Sequence, residues 1–203
     1  MTRLVAVRHG ETDWNREGRM QGWAPVPLNG TGREQATATG RWLAERYEFD
    51  RVLASDLLRT RETTDLLLEA VDAPATFEPA WRERDVGVYQ GLTCGDVESR
   101  FPEFGLSETA YKTTEAVPEG GESLRTVEER VTDRFEDLRG GDETLLVVTH
   151  GGPLCILLGH AKGMALTEAL STHGLNNCAV SEFRATETGT EVRRENVTAP
   201  ELV

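Results

Sequence analysis

Leu4-Val5-Ala6-Val7-Arg8-His9-Gly10 and Leu145-Leu146-Val147-Val148-Thr149-His150-Gly151 are built alike: each is a short unbroken apolar run that closes on a histidine and a glycine. Such a run, without polar alternation, reads as a strand buried on both faces, as in parallel sheets covered by helices. The segments around them keep the same rhythm. Thr31-Gly32-Arg33-Glu34 has capping-box spacing and predicts a helix from about Gly32 to Tyr47. Val52–Ala54 is a second short strand, after which Ser55 and Asp56 are placed to cap a helix through Leu57–Val71, with Arg59 in its first turn. Leu124, Val127, Val131, Phe135 and Leu138 fall on one helical face, and Gly140-Gly141 ends that run. Pro153 suits the first turn of a helix after His150, and Val180–Phe183 and Glu191–Val197 read as late edge strands. Strand alternating with helix predicts an α/β fold, a three-layer α/β/α sandwich around a mostly parallel sheet. Residues 74–118 break the rhythm. Their prolines, glycines and aromatics predict a small cap-like insertion within a single domain spanning 1–203, and Trp81, Tyr89, Phe101, Phe104 and Tyr111 read as packing for that cap.

Composition narrows the function classes. The 203 residues hold 35 Asp and Glu against 22 Lys and Arg, a net charge of −13. Lys112 and Lys162 are the only lysines, so the basic residues are almost all arginine. A hydrophobic fraction of 38% allows a sizeable core. The negative field argues against duplex nucleic acid or an anionic membrane as partner. Acid-rich, lysine-poor composition also suggests a protein of a high-salt interior; a melting temperature indifferent to molar KCl would contradict that. Cys94, Cys155 and Cys178 cannot all pair and form no C-x-x-C, which makes the cytoplasm the default compartment. Met1–Val7 reaches Arg8 too early for a signal-peptide core, and no apolar run approaches the ~20 residues of a membrane span.

The chemistry starts from the two histidines. In open α/β sheets the carboxyl ends of the strands line the ligand crevice, so His9 and His150 are candidates for one shared pocket. His160 and His173 lack that context and read as structural. Arg8-His9-Gly10-Glu11-Thr12, with Asn15 beyond it, resembles the opening signature of the histidine phosphatase superfamily, which includes the cofactor-dependent phosphoglycerate mutases. The likeness continues in order through Gln21-Gly22-Trp23, Pro27-Leu28, Gly32, Ser55-Asp56-Leu57-Leu58-Arg59-Thr60, Glu83 with Gly87 and Gly91, Gly120-Gly121-Glu122-Ser123, and His150-Gly151. It covers nearly the whole chain and implies a phosphoglycerate mutase-like fold.

The resemblance implies a phosphohistidine at His9, with Arg8, Arg59 and His150 completing the phosphate pocket and Glu83 as proton donor and acceptor. Asn15, Gln21, the amide of Gly22 and the N–H of Gly151 would contact the phosphate or its ester oxygen. The residue types suit phosphoryl transfer to water. Imidazole has an unperturbed pKa of ~6.5 and can attack unaided by metal, while nearby guanidinium groups should hold it neutral and fork onto phosphate oxygens. No metal and no cofactor is required, and the partner is a small-molecule phosphomonoester. Oligomeric state is left open, a homodimer included.

Within this family the competing reading is a phosphoglycerate mutase. Mutases typically place a Tyr-Gly pair after the acid, then a lysine and an arginine pair that grip the carboxylate. Here Val86 precedes Gly87, no lysine lies near Gly91, and no Arg-Arg pair occurs between Gly91 and Gly120, so a carboxylate-bearing substrate is expected to be poorly held. Gln21-Gly22 also looks more like the phosphatase branch. Cys94 with Arg100, and Cys178 with Arg184, match the C-x5-R spacing of cysteine phosphatases, a match common by chance in so arginine-rich a chain. Cys178 is expected inside a strand, away from the strand end where such a nucleophile sits. There is no HExxH and no P-loop lysine. A phospho-ligand-binding module without turnover is the reading outside enzymes.

Overall fold

The computed structural model describes residues 1–104 and 114–199. Six strands form one sheet in the order β3-β2-β4-β1-β5-β6, where β1 is Thr2–Arg8, β2 Arg51–Ala54, β3 Ala75–Phe77, β4 Thr144–Thr149, β5 Val180–Thr186 and β6 Gly189–Val197. The first four are mutually parallel; β5 runs antiparallel to β1 and to β6, its two neighbours. β5 lies inside the sheet against β1, so only β6 of the two late strands is an edge, and β3, from the start of the predicted cap, is the other.

Period-two alternation on strands buried on both faces divides the core into two layers. Leu4, Ala6, Leu53, Leu145, Val147 and Phe183 face Val127, Val131 and Phe135 of α5 (Leu124–Asp137) and Leu154 and Leu157 of α6 (Gly151–Lys162). Val5, Val7, Val52, Leu146 and Val148 face Trp42 and Leu43 of α2 (Gly30–Ala44) and Leu67 of α3 (Leu58–Leu67). The remaining helices are the short α1 (Asp13–Arg16), α4 (Cys94–Arg100) and α7 (Leu166–Thr172). Residues from 79 onward add 3₁₀ turns and α4, with a small apolar cluster of their own around Val86, Tyr89, Val97 and Phe104. Tyr89, Phe101 and Phe104 pack on one another there, whereas Trp81 is buried in the main core. Tyr111 lies outside the described residues.

Several expected helix ends move, each for a local reason. α2 begins at Gly30 because Asn29, not Thr31, is the cap: its Oδ1 accepts the Gly32 N–H at 2.8 Å while its amide donates to Glu11. α3 runs only from Leu58 to Leu67, and Leu57 caps it with no side-chain bond. The two expected caps are engaged elsewhere: Ser55 meets His150, and Asp56 is bound by both forks of Arg82 at 2.6 Å. α2 lies close against the loop after β1, since a Cβ on Gly32 would stand 2.1 Å from the Glu11 carbonyl oxygen. Only glycine allows that approach, which anchors the loop carrying His9.

Candidate active site

The parallel register of β1 with β4 ends at Arg8 opposite Thr149, so the next residues, His9 and His150, come side by side with ring centroids 5.1 Å apart. β2 pairs with the other edge of β4, Ala54 opposite Val148, and therefore delivers Ser55 and the start of α3 to the same rim. In the first turn of that helix Arg59, fully buried, donates from Nε to His9 Nε2 at 3.2 Å. Guanidinium can only donate, so Nε2 carries the lone pair and the ring proton sits on Nδ1, which donates to the Gly10 carbonyl at 2.8 Å. Arg59 also donates to the Gly22 carbonyl at 2.9 Å.

His9 is held well below the ordinary 6.5, first by burial and then by Arg59 and Arg8. The arginines expected to keep it neutral therefore act second to desolvation. His150 is depressed the same way, by burial, Arg59 and His9 in that order. Its Nε2 lies 2.8 Å from Ser55 Oγ, and its Nδ1 is buried without a hydrogen bond. Ser55 Oγ also accepts the Leu57 N–H at 3.4 Å, so the hydroxyl bridges the start of α3 and the imidazole. Burial pulls Arg59 down to about 10, so it stays charged at neutral pH.

A stability consequence follows from the two depressed imidazoles. As pH falls through about 6.5 the unfolded chain takes up protons that the native chain refuses, so stability is full above that pH and declines below it. Each such histidine contributes a slope of up to about 1.4 kcal/mol per pH unit. Urea unfolding between pH 7 and 5 is expected to show this loss, and His150→Asn is expected to flatten it. The depressed carboxylates, Asp56 and Asp96 below their ordinary 3.8 and Glu136 and Glu195 below their ordinary 4.5, act lower.

Glu83 faces the same cavity from the loop after β3. Its carboxylate accepts the backbone N–H of Arg84 on Oε1 at 2.9 Å and of Gly152 on Oε2 at 3.1 Å. A Cβ at residue 152 would stand 2.4 Å from Glu83 Oε1, so a side chain there would push the carboxylate out of this position. The loop itself is fastened through its carbonyls. Arg130 donates to Ala80, Arg82 and Glu83 at 2.7–3.1 Å and to Glu122 Oε1 at 2.8 Å, and Trp23 Nε1 donates to the Glu83 carbonyl at 2.8 Å. The arginine of Arg82–Asp56 stacks on Trp23, 4.4 Å from the ring centre. Arg82 and Arg84, which flank Glu83 in the sequence, are held by Asp56 and by the Glu122 and Ala116 carbonyls.

Arg8, His9, Asn15, Gln21, Gly22, Arg59 and Glu83 line one cavity of about 280 Å³. His150 sits behind His9, fully buried, and Gly151 opens α6 beside it without lining the cavity. Arg8 reaches past the histidine to the Leu175 carbonyl, and its Nε is buried without a partner. Asn15 is locked in a capping box with Thr12 and accepts from Asn177, whose amide also donates to the His9 carbonyl. Gln21 Oε1 accepts the Thr12 hydroxyl at 3.1 Å. Among the described residues no cluster of ligands suits a metal ion.

Arg19, Met20, Arg84, Val86 and Leu124 complete the wall and were not anticipated as site residues. Arg84 is the informative one. It is 6% exposed, donates to the Glu122 and Ala116 carbonyls, and has no hydrogen-bonded acid among the described residues; burial lowers it to about 10. The cysteines do not compete for the role of nucleophile. Cys94 is exposed at the start of α4, and burial pushes the thiols of Cys155 and Cys178 up to about 12. Cys178 is not in the strand but in a turn ahead of it, with φ 55°, donating to the Arg8 carbonyl. His160 and His173 are paired with Glu136 and Glu195, away from the cavity.

Over residues 4–198 the chain matches the histidine phosphatase superfamily, branch 1. It belongs to that family. This histidine phosphatase is 34% identical to the metal-independent phosphoserine phosphatase of Arabidopsis thaliana, over 89% of its own length and 75% of the plant protein. It is also 34% identical to the 2,3-bisphosphoglycerate-dependent phosphoglycerate mutase 2 of Gloeobacter violaceus, over 78% of its length and 74% of the mutase. The solved structure of Bacillus stearothermophilus YhfR superposes with a TM-score of 0.86 at 28% identity, covering 97% of each chain.

Proposed function

We propose that this histidine phosphatase hydrolyses small phosphomonoesters through a covalent phosphohistidine at His9. The observation that carries the reading is the buried, neutral His9 with its Nε2 lone pair held by Arg59 at 3.2 Å. A phosphoryl group entering between them takes over the guanidinium donors and leaves that lone pair free to attack phosphorus. The N–P bond forms, the P–O ester bond breaks, and Glu83 gives its proton to the departing alkoxide. In the second half Glu83 takes a proton from water, the new O–P bond forms, and inorganic phosphate leaves His9 neutral again. Arg8, Arg59 and His150 stabilise the equatorial oxygens. Asn15, Gln21, the Gly22 amide and the Gly151 N–H orient the phosphate and its ester oxygen.

The wall of the cavity bears on substrate choice. An expected weakness toward carboxylate-bearing substrates rested on the missing lysine and arginine pair. Arg84, with no hydrogen-bonded acid among the described residues, supplies a cation in their place, and Arg19, paired with Glu17 at 2.6 Å, is a second arginine in the lining. A phosphomonoester with a carboxylate fits this lining, and phosphoserine, named for the plant relative, is of that kind. Hydrolysis rather than mutation is favoured because Val86 occupies the place before Gly87 where a mutase has tyrosine. The deciding experiment compares inorganic phosphate release from a phosphomonoester panel, with EDTA present, against conversion of 3- to 2-phosphoglycerate. Phosphate release without isomer conversion is expected, and the reverse overturns the reading. In the same panel Arg84→Met is expected to raise KM for phosphoserine about 10- to 100-fold, the worth of one hydrogen bond to a charged group, and to leave p-nitrophenyl phosphate nearly unaffected.

A further inference from the structure

At the end of the sheet remote from His9, the antiparallel pairing of β1 with β5 sets Arg3 directly opposite Arg184. Like charges in that relation destabilise a strand pair, so their juxtaposition needs a counter-charge. Glu182, two residues earlier on β5, provides one. Its carboxylate, 7% exposed, lies 3.5 Å from Arg3 Nε and 3.9 Å from Arg184 Nε, and accepts Arg194 Nε at 3.2 Å and the Tyr47 hydroxyl at 2.9 Å. Three guanidinium groups therefore share one acid. Arg194 Nε makes the single hydrogen bond of the three among the described residues, while Arg3 Nε and Arg184 Nε are buried with none.

These side chains border a cavity of about 440 Å³, which Arg46 and Arg193 close from the sides. Arg46 and Arg193 are satisfied by Glu45 and Glu191, so the charge left over belongs to the central three. Among the described residues Glu182 is the only acid in the lining. That a chain of net charge −13 gathers five arginines around one enclosed carboxylate is unlike its surface as a whole. A long polyanion would still meet the surrounding negative field, whereas a compact one would not extend beyond the cavity.

We propose that this cavity is a second anion site, separate from the phosphate pocket, which takes a small multivalent oxyanion between the forks of Arg3, Arg184 and Arg194. Glu182 and Tyr47 act as its floor: the acid holds the arginines in place, and the open guanidinium edges match phosphoryl or carboxylate oxygens two at a time. Binding there neutralises the repulsion between β1 and β5, so the ligand stabilises the sheet end.

Isothermal titration at constant ionic strength tests this, with tripolyphosphate and citrate as probes on the whole chain. A binding event is expected that persists in Arg59→Gln, which disables the phosphate pocket, and weakens at least about tenfold in Arg184→Gln. Glu182→Gln is expected to act in the opposite direction and tighten binding several-fold, because it removes the one negative charge facing the ligand. That opposite sign separates an anion site from a structural cluster, which both substitutions would merely loosen, and it holds the test together if Arg184→Gln folds poorly. Tighter binding of tripolyphosphate assigns a phosphoryl ligand and tighter binding of citrate a carboxylate ligand. No binding of either, loss of the event in Arg59→Gln, its survival in Arg184→Gln, or weaker binding in Glu182→Gln overturns the proposal.

Discussion

Replacing His9 with alanine is expected to lower kcat for every phosphomonoester by about 10⁵- to 10⁶-fold, the scale on which loss of a covalent nucleophile is felt. Nothing else in the cavity can substitute. His150 is fully buried behind it with Nε2 held by Ser55, and the two buried thiols are pushed up to about 12. Binding should survive better than turnover, since Arg8 and Arg59 remain, so product phosphate is expected to inhibit with little change while kcat collapses. Steady-state kinetics with phosphate inhibition reads both quantities. A variant retaining more than a hundredth of wild-type turnover would show that the phosphoryl group never passes through His9.

The second large effect belongs to Glu83. Glu83→Gln keeps the shape and can still accept one of the two N–H groups, of Arg84 or of Gly152, that the two carboxylate oxygens accept, but it cannot give or take a proton. Turnover of an alkyl phosphate, whose alkoxide must be protonated as it leaves, is expected to fall by about 10²- to 10⁴-fold. Nitrophenolate leaves without a proton, so the first half-reaction on p-nitrophenyl phosphate is expected to be nearly untouched. Dephosphorylation then becomes limiting for that substrate, and a burst of nitrophenol should precede a slow steady state. Equal losses on both substrates with no burst would remove Glu83 from the acid role.

Much of this arrangement can be read from the chain, and the unread part has physical causes. β1 and β4 are legible because both faces of each strand are buried, which writes an unbroken apolar run. Their neighbour relation is not, since parallel pairing across some 140 residues leaves no local mark. That relation is what turns two similar sequence segments into one site. Ser55 and Asp56 mislead because their side chains have the chemistry of helix caps, yet His150 and Arg82 hold them. The reassigned caps are themselves a trace of function: α3 begins without one while Ser55 pairs with His150. Arg84 and Arg130 are invisible for a different reason. Both sit in stretches dense with charges of both signs, where a buried arginine bonded to carbonyls looks like any exposed one. Trp23 lies in the motif that marks the family likeness, but its bond to the Glu83 carbonyl shows only in three dimensions.

The neutral, Nδ1-protonated His9 is the point on which the account turns, and its covalent product is the direct observable. Mixing the enzyme with a phosphomonoester, quenching in alkali within one turnover and mapping the modified peptide locates the phosphoryl group. Phosphate on Nε2 of His9, absent from the His9→Ala protein and trapped in greater amount by Glu83→Gln, is the predicted result. Phosphate on another residue, or complete turnover with no phosphoenzyme at any quench time, would contradict it.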